Sequence, residues 1–218
     1  MEIEILFEDA SLLVVNKPSG LLVHRTLESR DQRFLLQELR NQIGGRHLYP
    51  VHRLDRAASG AIAFALSSEI ARGLQESLSA SDTEKEYLAL VRGVAPEAGE
   101  IDRPLTSERG VAQEARTNFV RAESFERSTL LRVRILTGRR HQIRRHLSHI
   151  RHPILGDSTY GKGGINRLYR ERYGLSRLFL HCHRLTFCHP VQKETLRIEA
   201  PLASDLEDVL KKVRDSHG

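Results

Sequence analysis

The segment His52-Arg53-Leu54-Asp55-Arg56, followed by Ala57-Ala58-Ser59-Gly60, sets one carboxylate among three cationic or potentially cationic side chains. Neighbouring arginines favour the ionised form of an aspartate. A charged carboxylate would repel phosphate, so on a nucleic-acid surface Asp55 needs a chemical reason to be present. Two reasons fit: a metal ligand, or a nucleophile or base acting directly. No second or third carboxylate clusters nearby to complete a hard-cation site, which favours direct action. The alternative without chemistry is a structural Arg–Asp pair in a turn.

The densest basic element is Gly138–Pro153, GRRHQIRRHLSHIRHP, with five Arg, four His and no acid. A helix over Gln142–Ile150 would turn Ile143, Leu147 and Ile150 to the core. Arg140, His141 and Arg144 then share a neighbouring face, and Arg139 and Arg145 extend the same patch. Such a face offers many donors to phosphates, and counter-ion release would make its binding salt-dependent. A merely solvated face would ordinarily carry some acids.

Three other patterns are weaker. Gly156–Lys162 has Walker A spacing, but Gly163 stands where a Ser or Thr must hold Mg²⁺. His181-Cys182-His183 with Cys188-His189 suggests zinc, yet on a strand the two cysteines would lie roughly 20 Å apart. The histidines of Gly138–Pro153 fall at helical spacings without an HExxH pattern. No metal is therefore expected.

The elements that must hold these residues follow from periodicity and turn chemistry. Glu2–Phe7 and Leu12–Lys17 are predicted strands, closed by the turn Asn16-Lys17-Pro18-Ser19-Gly20. Asp31 is a candidate cap for a helix to about Ile43. Gly60–Leu66 reads as a buried strand of small residues, and Ser67 or Ser68 caps a helix to about Leu78. Strands are predicted at Glu86–Arg92, Ala115–Ala122, Thr129–Leu136, Arg177–His189 and Thr195–Ile198, with a closing helix at Leu206–Val213. Gly156–Gly174 is expected to be a long loop. Strands outnumber helices without strict alternation, so the expected class is α+β, with a mixed, mainly antiparallel sheet flanked by helices.

Composition bounds the partner. The chain has 218 residues, a formal charge of +6 and a pI near 9.6. Only six of its 34 basic residues are Lys, and arginine is the side chain that forks onto phosphate and stacks on bases. Nucleic acid is the first partner to consider, although a GC-rich genome would bias toward arginine without function. No stretch approaches the ~20 apolar residues of a membrane span. The acidic start MEIEILFEDA lacks the basic n-region of a secretory signal. With two cysteines and no disulfide framework, a reducing cytosol is expected.

Taken in order, Asn16–His24 (NKPSGLLVH), HRLDR…SG at 52–60, KEYLALVRG at 85–93, TGRRHQIRRHL at 137–147 and HPILGD at 152–157 resemble the RluA-type pseudouridine synthases. The resemblance spans residues 3–200 and is carried above all by HRLD with a downstream G-R-x-H-Q-I-R. It implies the pseudouridine synthase fold and isomerisation of uridine in RNA without cofactor or metal. It gives Asp55 the part of the catalytic aspartate, and Arg53 that of the arginine entering the space of the extruded base. Tyr87 matches the tyrosine packing on the target uracil, a candidate to assist deprotonation at C5. Arg144 matches the arginine that pairs with the aspartate, and Ile143 an apolar contact to the base. Arg56, Arg139, Arg140, His141 and Arg145 are the expected further RNA contacts.

One departure is Ala58, where the family often has Thr. The chain is expected to form one catalytic domain over 1–218, without the S4-type RNA-binding domain of many relatives, and to act as a monomer with no protein partner. Residues 144–182 look most like the tRNA branch that modifies uridine 65. A ribosomal RNA substrate, or a catalytically silent RNA-binding protein, are the alternatives.

Overall fold

The computed structural model describes residues 2–24 and 32–216. In chain order its elements are β1 (Glu4–Glu8), β2 (Leu12–Lys17), α1 (Leu35–Gln42), β3 (Tyr49–Pro50), β4 (Ser59–Ala65), α2 (Ser68–Ser79), β5 (Glu84–Arg92), β6 (Ala98–Asp102), β7 (Leu105–Thr106), β8 (Ala112–Gln113), β9 (Arg116–Ser124), β10 (Ser128–Ile135), α3 (Gln142–His149), α4 (Gly163–Tyr173), β11 (Leu180–Cys188), β12 (Thr195–Glu199) and α5 (Ser204–Asp215). The class is α+β with mainly antiparallel sheet, as expected. The proposed cap Asp31 lies outside the described residues.

The chain forms two compact units, Met1–Glu84 with Cys182–Pro201, and Lys85–His181 with Leu202–Gly218. In the first, the strand order is β1-β2-β4-β11, with β12 on β11 and β3 on β4. Leu12 to Val15 of β2 and every residue of β4 are buried. An unbroken apolar run on β2, and small residues on β4, suit strands covered on both faces. Helix α2 packs on β4 through an apolar stripe that buries Leu74 and Leu78, and Ser67 Oγ caps it by accepting from Ile70 N at 3.2 Å. Gly60 opens β4 at φ +114°, and a Cβ there would sit 2.3 Å from the Cys182 carbonyl oxygen. No other residue fits that approach.

In the second unit the order is β5-β10-β9-β6. On β10, Leu131 and Val133 are buried while Arg132 and Arg134 are exposed, the alternation that the sequence predicts. The segment 153–155 runs along β5: Arg92 N donates to Pro153 O at 3.0 Å and Leu155 N to Leu90 O at 2.8 Å. Helix α3 lies against β9.

The expected Gly156–Gly174 loop is half helix. Gly163-Gly164 look like breakers, but they occupy the first turn of α4, where a glycine costs less than in a helix interior. Ile165, Tyr169 and Tyr173 repeat at helical spacing, and Tyr169 and Tyr173 are buried. Gly174, left-handed at φ +82°, ends the helix by donating to Arg170 O. The expected strand from Arg177 begins only at Leu180, because Arg177 forks onto Asp205 at 2.6 and 2.8 Å.

A buried ammonium organises the first unit. Lys17 ends β2 fully buried, and its Nζ donates to the carbonyls of Pro18 and Leu21 at 2.9 Å and of Arg56 at 3.3 Å. Gly20 N also donates to Arg56 O at 2.8 Å, and Ser19 Oγ to Ala57 O at 2.8 Å. The 17–21 turn is thereby stapled to the segment that carries Asp55.

Replacing Lys17 by Met should leave these carbonyls short of a charged donor. The expected loss is about 3 kcal/mol or more of unfolding free energy in urea titrations. Stability within about 0.5 kcal/mol of wild type would show that the staple is dispensable.

Candidate active site

Asp55 is half-buried in a turn closed by Ala58 N donating to Asp55 O at 3.1 Å. The turn is held at several points within its own unit. On its N-terminal side, His52 Nε2 accepts from the backbone N–H of Ala63 on β4 at 2.9 Å, which requires that nitrogen to be unprotonated. Leu54 between them is buried. On its C-terminal side stand Lys17 and the 18–21 turn, with Arg56 Nε donating back to Gly20 O at 3.1 Å. Arg53 is exposed, with no carboxylate in ion-pair distance among the described residues. A carboxylate on a hydrogen-bonded turn beside an exposed cation suits work on a polyanion.

In the second unit Tyr87 is buried on β5, opposite Val133 of β10. Helix α3 begins at Gln142, one residue after His141, whose φ of +53° is left-handed. Gln142 is buried with its amide fully used. Its Oε1 accepts from Thr137 Oγ1 at 2.7 Å and Arg139 N at 3.0 Å; its Nε2 donates to Arg116 O at 2.9 Å and Thr117 Oγ1 at 3.0 Å. These bonds fold the 137–141 turn onto β9. The next residue, Ile143, is buried as well.

Arg144 is nearly buried and forks onto buried Asp157: Nε to Oδ2 at 2.8 Å and Nη2 to Oδ1 at 2.9 Å. Its Nη2 also donates to Thr159 Oγ1 at 3.2 Å, and its guanidinium lies 5.1 Å over the Tyr160 ring. Tyr160 OH stands 3.2 Å from His141 Nδ1. Burial works against charge on Asp157. Hydrogen bonds from Arg144 and from the N–H groups of Tyr160 and Thr159, with the Arg144 charge, outweigh it and hold the carboxyl below the ordinary aspartate range.

The expected shared helical face of Arg140, His141 and Arg144 is therefore corrected. Arg140 and His141 precede the helix, and Arg144 turns inward. The 138–153 stretch has no acid of its own, but the fold supplies two from elsewhere: Asp157 to Arg144, and Glu108 to Arg140 in an exposed ion pair. Arg139 Nε donates to Glu114 O at 2.9 Å and Arg145 Nη1 to Thr106 O at 3.0 Å. His146 is a buried core residue with Nδ1 2.9 Å from Thr117 Oγ1 and Nε2 3.0 Å from Arg103 O. Burial, aided by the neighbouring positive groups, pushes its pKa down, so it is neutral at pH 7. Tyr169 and Tyr173, interleaved with the arginines of α4, are core.

Asp157, Gln142 and Tyr160 carry no role that the sequence alone displays. Asp157 closes the HPILGD segment and Gln142 sits inside GRRHQIR, but neither spacing reveals a partner.

Residues 11–149 match the family described as RNA pseudouridylate synthase. The chain is 41% identical to tRNA pseudouridine synthase C of Vibrio cholerae, over 92% of this chain and 91% of that one. It is 42% identical to the protein of the same name from Haemophilus ducreyi, over 93% and 92%. Among solved structures, human RNA pseudouridylate synthase domain containing 4 superposes with a TM-score of 0.81 at 28% identity, covering 97% of this chain and 93% of that one.

Replacing Asp157 by Asn should cost about 3–5 kcal/mol, because it removes the buried charge onto which the guanidinium forks. The double variant Arg144→Met with Asp157→Asn should recover part of it. The gap between wild type and Asp157→Asn should also depend on pH. A carboxyl that titrates lower when folded contributes fully above the unfolded aspartate value, about 3.9. That contribution fades as pH falls through the lower folded value. Denaturant titrations should show a constant gap above about pH 5 that closes below about pH 4. A gap unchanged with pH would mean that the Asp157 charge is not what Arg144 needs.

Proposed function

Since the chain belongs to the RNA pseudouridylate synthase family, of the RluA type, and so isomerises uridine in RNA to pseudouridine, we propose that Asp55 carries the chemistry and that the substrate is a tRNA modified at uridine 65. The observation that supports the first part is the stapled turn. His52, Lys17 and the 18–21 turn fix the backbone on both sides of Asp55, while the side chain of Arg53 stays exposed.

A uridine stacked in RNA cannot be attacked, and extruding it costs a few kcal/mol. Arg53 offsets part of this by occupying the space left behind. Asp55 acts as an ionised carboxylate, attacking C1′ or removing a ribose proton. The N1–C1′ bond breaks, the uracil turns, C5 bonds to C1′, and the C5 proton leaves to a base. The isomerisation is redox-neutral. Tyr87 packs on the uracil, and its hydroxyl is the candidate to assist that deprotonation. Ile143 adds an apolar contact. Arg144 favours the charged aspartate, with its guanidinium plane already set by Asp157. Arg56, Arg139, Arg140, His141 and Arg145 contact the RNA backbone, each trading an existing surface partner for phosphate.

The tRNA assignment rests on the names of the similar bacterial proteins and on the 144–182 resemblance. We place the protein in a reducing cytosol as a single catalytic domain and a monomer; neither Cys182 nor Cys188 forms a disulfide among the described residues.

Asp55→Asn should bind tRNA normally and lose at least about 10³-fold in product formation, since removing a nucleophile or base costs orders of magnitude. Turnover within about tenfold of wild type would remove Asp55 from its role. Tyr87→Phe should keep base packing but slow turnover; full activity would leave the tyrosine a packing surface only. Unmodified tRNA transcripts and ribosomal fragments, mapped for pseudouridine after incubation, decide the substrate. Product confined to ribosomal fragments would sink the tRNA assignment and spare the synthase.

A further inference from the structure

Arg92 at the end of β5, Arg151 just after α3 and Lys162 just before α4 converge on one cavity of about 370 Å³, completed by Ser148, Pro153 and Tyr160. The three cations are exposed, and among the described residues none has a carboxylate within ion-pair distance. That sets them apart from Arg140, Arg144, Arg177 and Arg214, each of which holds an acid. Three like charges lining one hollow repel one another, and an anion between them relieves the repulsion. The volume lies at the small end of ligand sites, about 300–1,000 Å³, with room for a phosphodiester and its ribose.

Arg151 also carries a conformational cost. Arg151 N donates to Ser148 O and His152 N to Leu147 O, the bonding pattern that closes a helix with a left-handed residue. Glycine ordinarily takes that position. Arg151 holds it at φ +67°, against the preference of an L side chain. Helix termination alone does not need a guanidinium there.

We propose that this cavity is a phosphate subsite for the RNA backbone. The proposal rests on the reading of the chain as an RNA-modifying enzyme and adds a named contact to it. The lining favours a polyanion over a free nucleotide. One face of Tyr160 is covered by Arg144, and its hydroxyl is engaged by His141, so the wall offers little to a base. The Ser148 hydroxyl already donates to Tyr160 O at 3.2 Å, so what remains is charge, which reads phosphate rather than sequence. The Gly156–Lys162 stretch, unsuited to hold Mg²⁺, supplies two of the lining residues. Through Tyr160 the subsite shares a wall with the Arg144–Asp157 pair.

The test uses the full chain with Arg92→Gln, Arg151→Gln and Lys162→Gln combined, and an unmodified tRNA transcript as probe. The affinity for tRNA should fall at least tenfold near 0.1 M salt, and the plot of log K against log salt should flatten by about one to two. Product formation at saturating tRNA should be unchanged. Arg92→Lys with Arg151→Lys should retain most of the affinity. Arg151→Gly, by relieving the backbone, should raise the melting temperature by about 2–4 °C while weakening tRNA binding. Unchanged affinity and salt slope in the triple variant would overturn the proposal. So would inorganic phosphate or a mononucleotide binding wild type but not the variant while tRNA affinity stays the same, which would mark a small-anion site. If wild type forms no pseudouridine in any RNA but the slope difference persists, the subsite stands and the enzymatic reading fails.

Discussion

A guanidinium taken out of water must be neutralised and hydrogen-bonded, and in the second unit this requirement shapes everything from α3 to α4. Desolvating each ion costs several kcal/mol, so the pair survives only with good geometry. Asp157 provides it by meeting the fork of Arg144 on both oxygens. Its Oδ1 also accepts from Thr159 N at 2.9 Å and Tyr160 N at 3.0 Å, which coils the chain around the carboxylate. The coil then ties forward. Asp157 O accepts from Asn166 Nδ2 at 2.8 Å, and Asn166 Oδ1 accepts from Gly156 N at 3.0 Å, so the first turn of α4 is bound to the turn before it. Tyr160 is thereby carried beneath Arg144 and up to His141. One ion pair sets the orientation of three side chains on three segments.

The first unit solves the same problem with different chemistry. Lys17 is also a buried cation, but it meets carbonyls of the 18–21 turn and of Arg56. The choice of side chain follows from the geometry of the acceptors. An ammonium has three donors radiating from one point, which suits carbonyls arriving from different segments. A guanidinium is a planar fork, which suits the two oxygens of a carboxylate. Exchanging the two cations would strand donors at both places. Each unit thus uses a buried charge to immobilise a loop, and the surface beside each loop keeps cations that hold no acid among the described residues, Arg53 in one and Arg92, Arg151 and Lys162 in the other.

This division explains what the sequence makes legible. Strands β2 and β10 and helices α2, α3 and α5 are readable because each carries one uninterrupted apolar period. Helix α4 is hidden by its opening glycines, and β6 to β8 by their short, mostly exposed and polar sequences. The motif proposed to carry the chemistry is contiguous, and the charges around Asp55 are neighbours in the chain. The supporting contacts are not. Lys17 reaches Arg56 across 39 residues, Gln142 reaches Thr117 across 25, and Arg144 reaches Asp157 across 13. Each side chain belongs to a visible motif while its partner lies outside the window in which spacing carries information.

The same limit governs the arginines. An acid-free run such as Gly138–Pro153 looks like a surface prepared for phosphate, because local compensation is the only kind a sequence displays. Folding brings compensation from a distance: Asp157 consumes the charge of Arg144, and Glu108 meets Arg140. Each neutralised arginine has a counter-charge to give up before it can release ions from RNA, so it contributes less to binding than its count suggests. The converse holds at the β5 end. Arg92, Arg151 and Lys162 lie on separate segments, and no window of the sequence marks them as a group, yet the fold gathers them without an acid. The attraction that an Arg-rich chain exerts on RNA is therefore a property of which charges the fold leaves uncompensated. In this protein three such charges, Arg151 of the basic run with Arg92 and Lys162 from other segments, are brought together by tertiary structure.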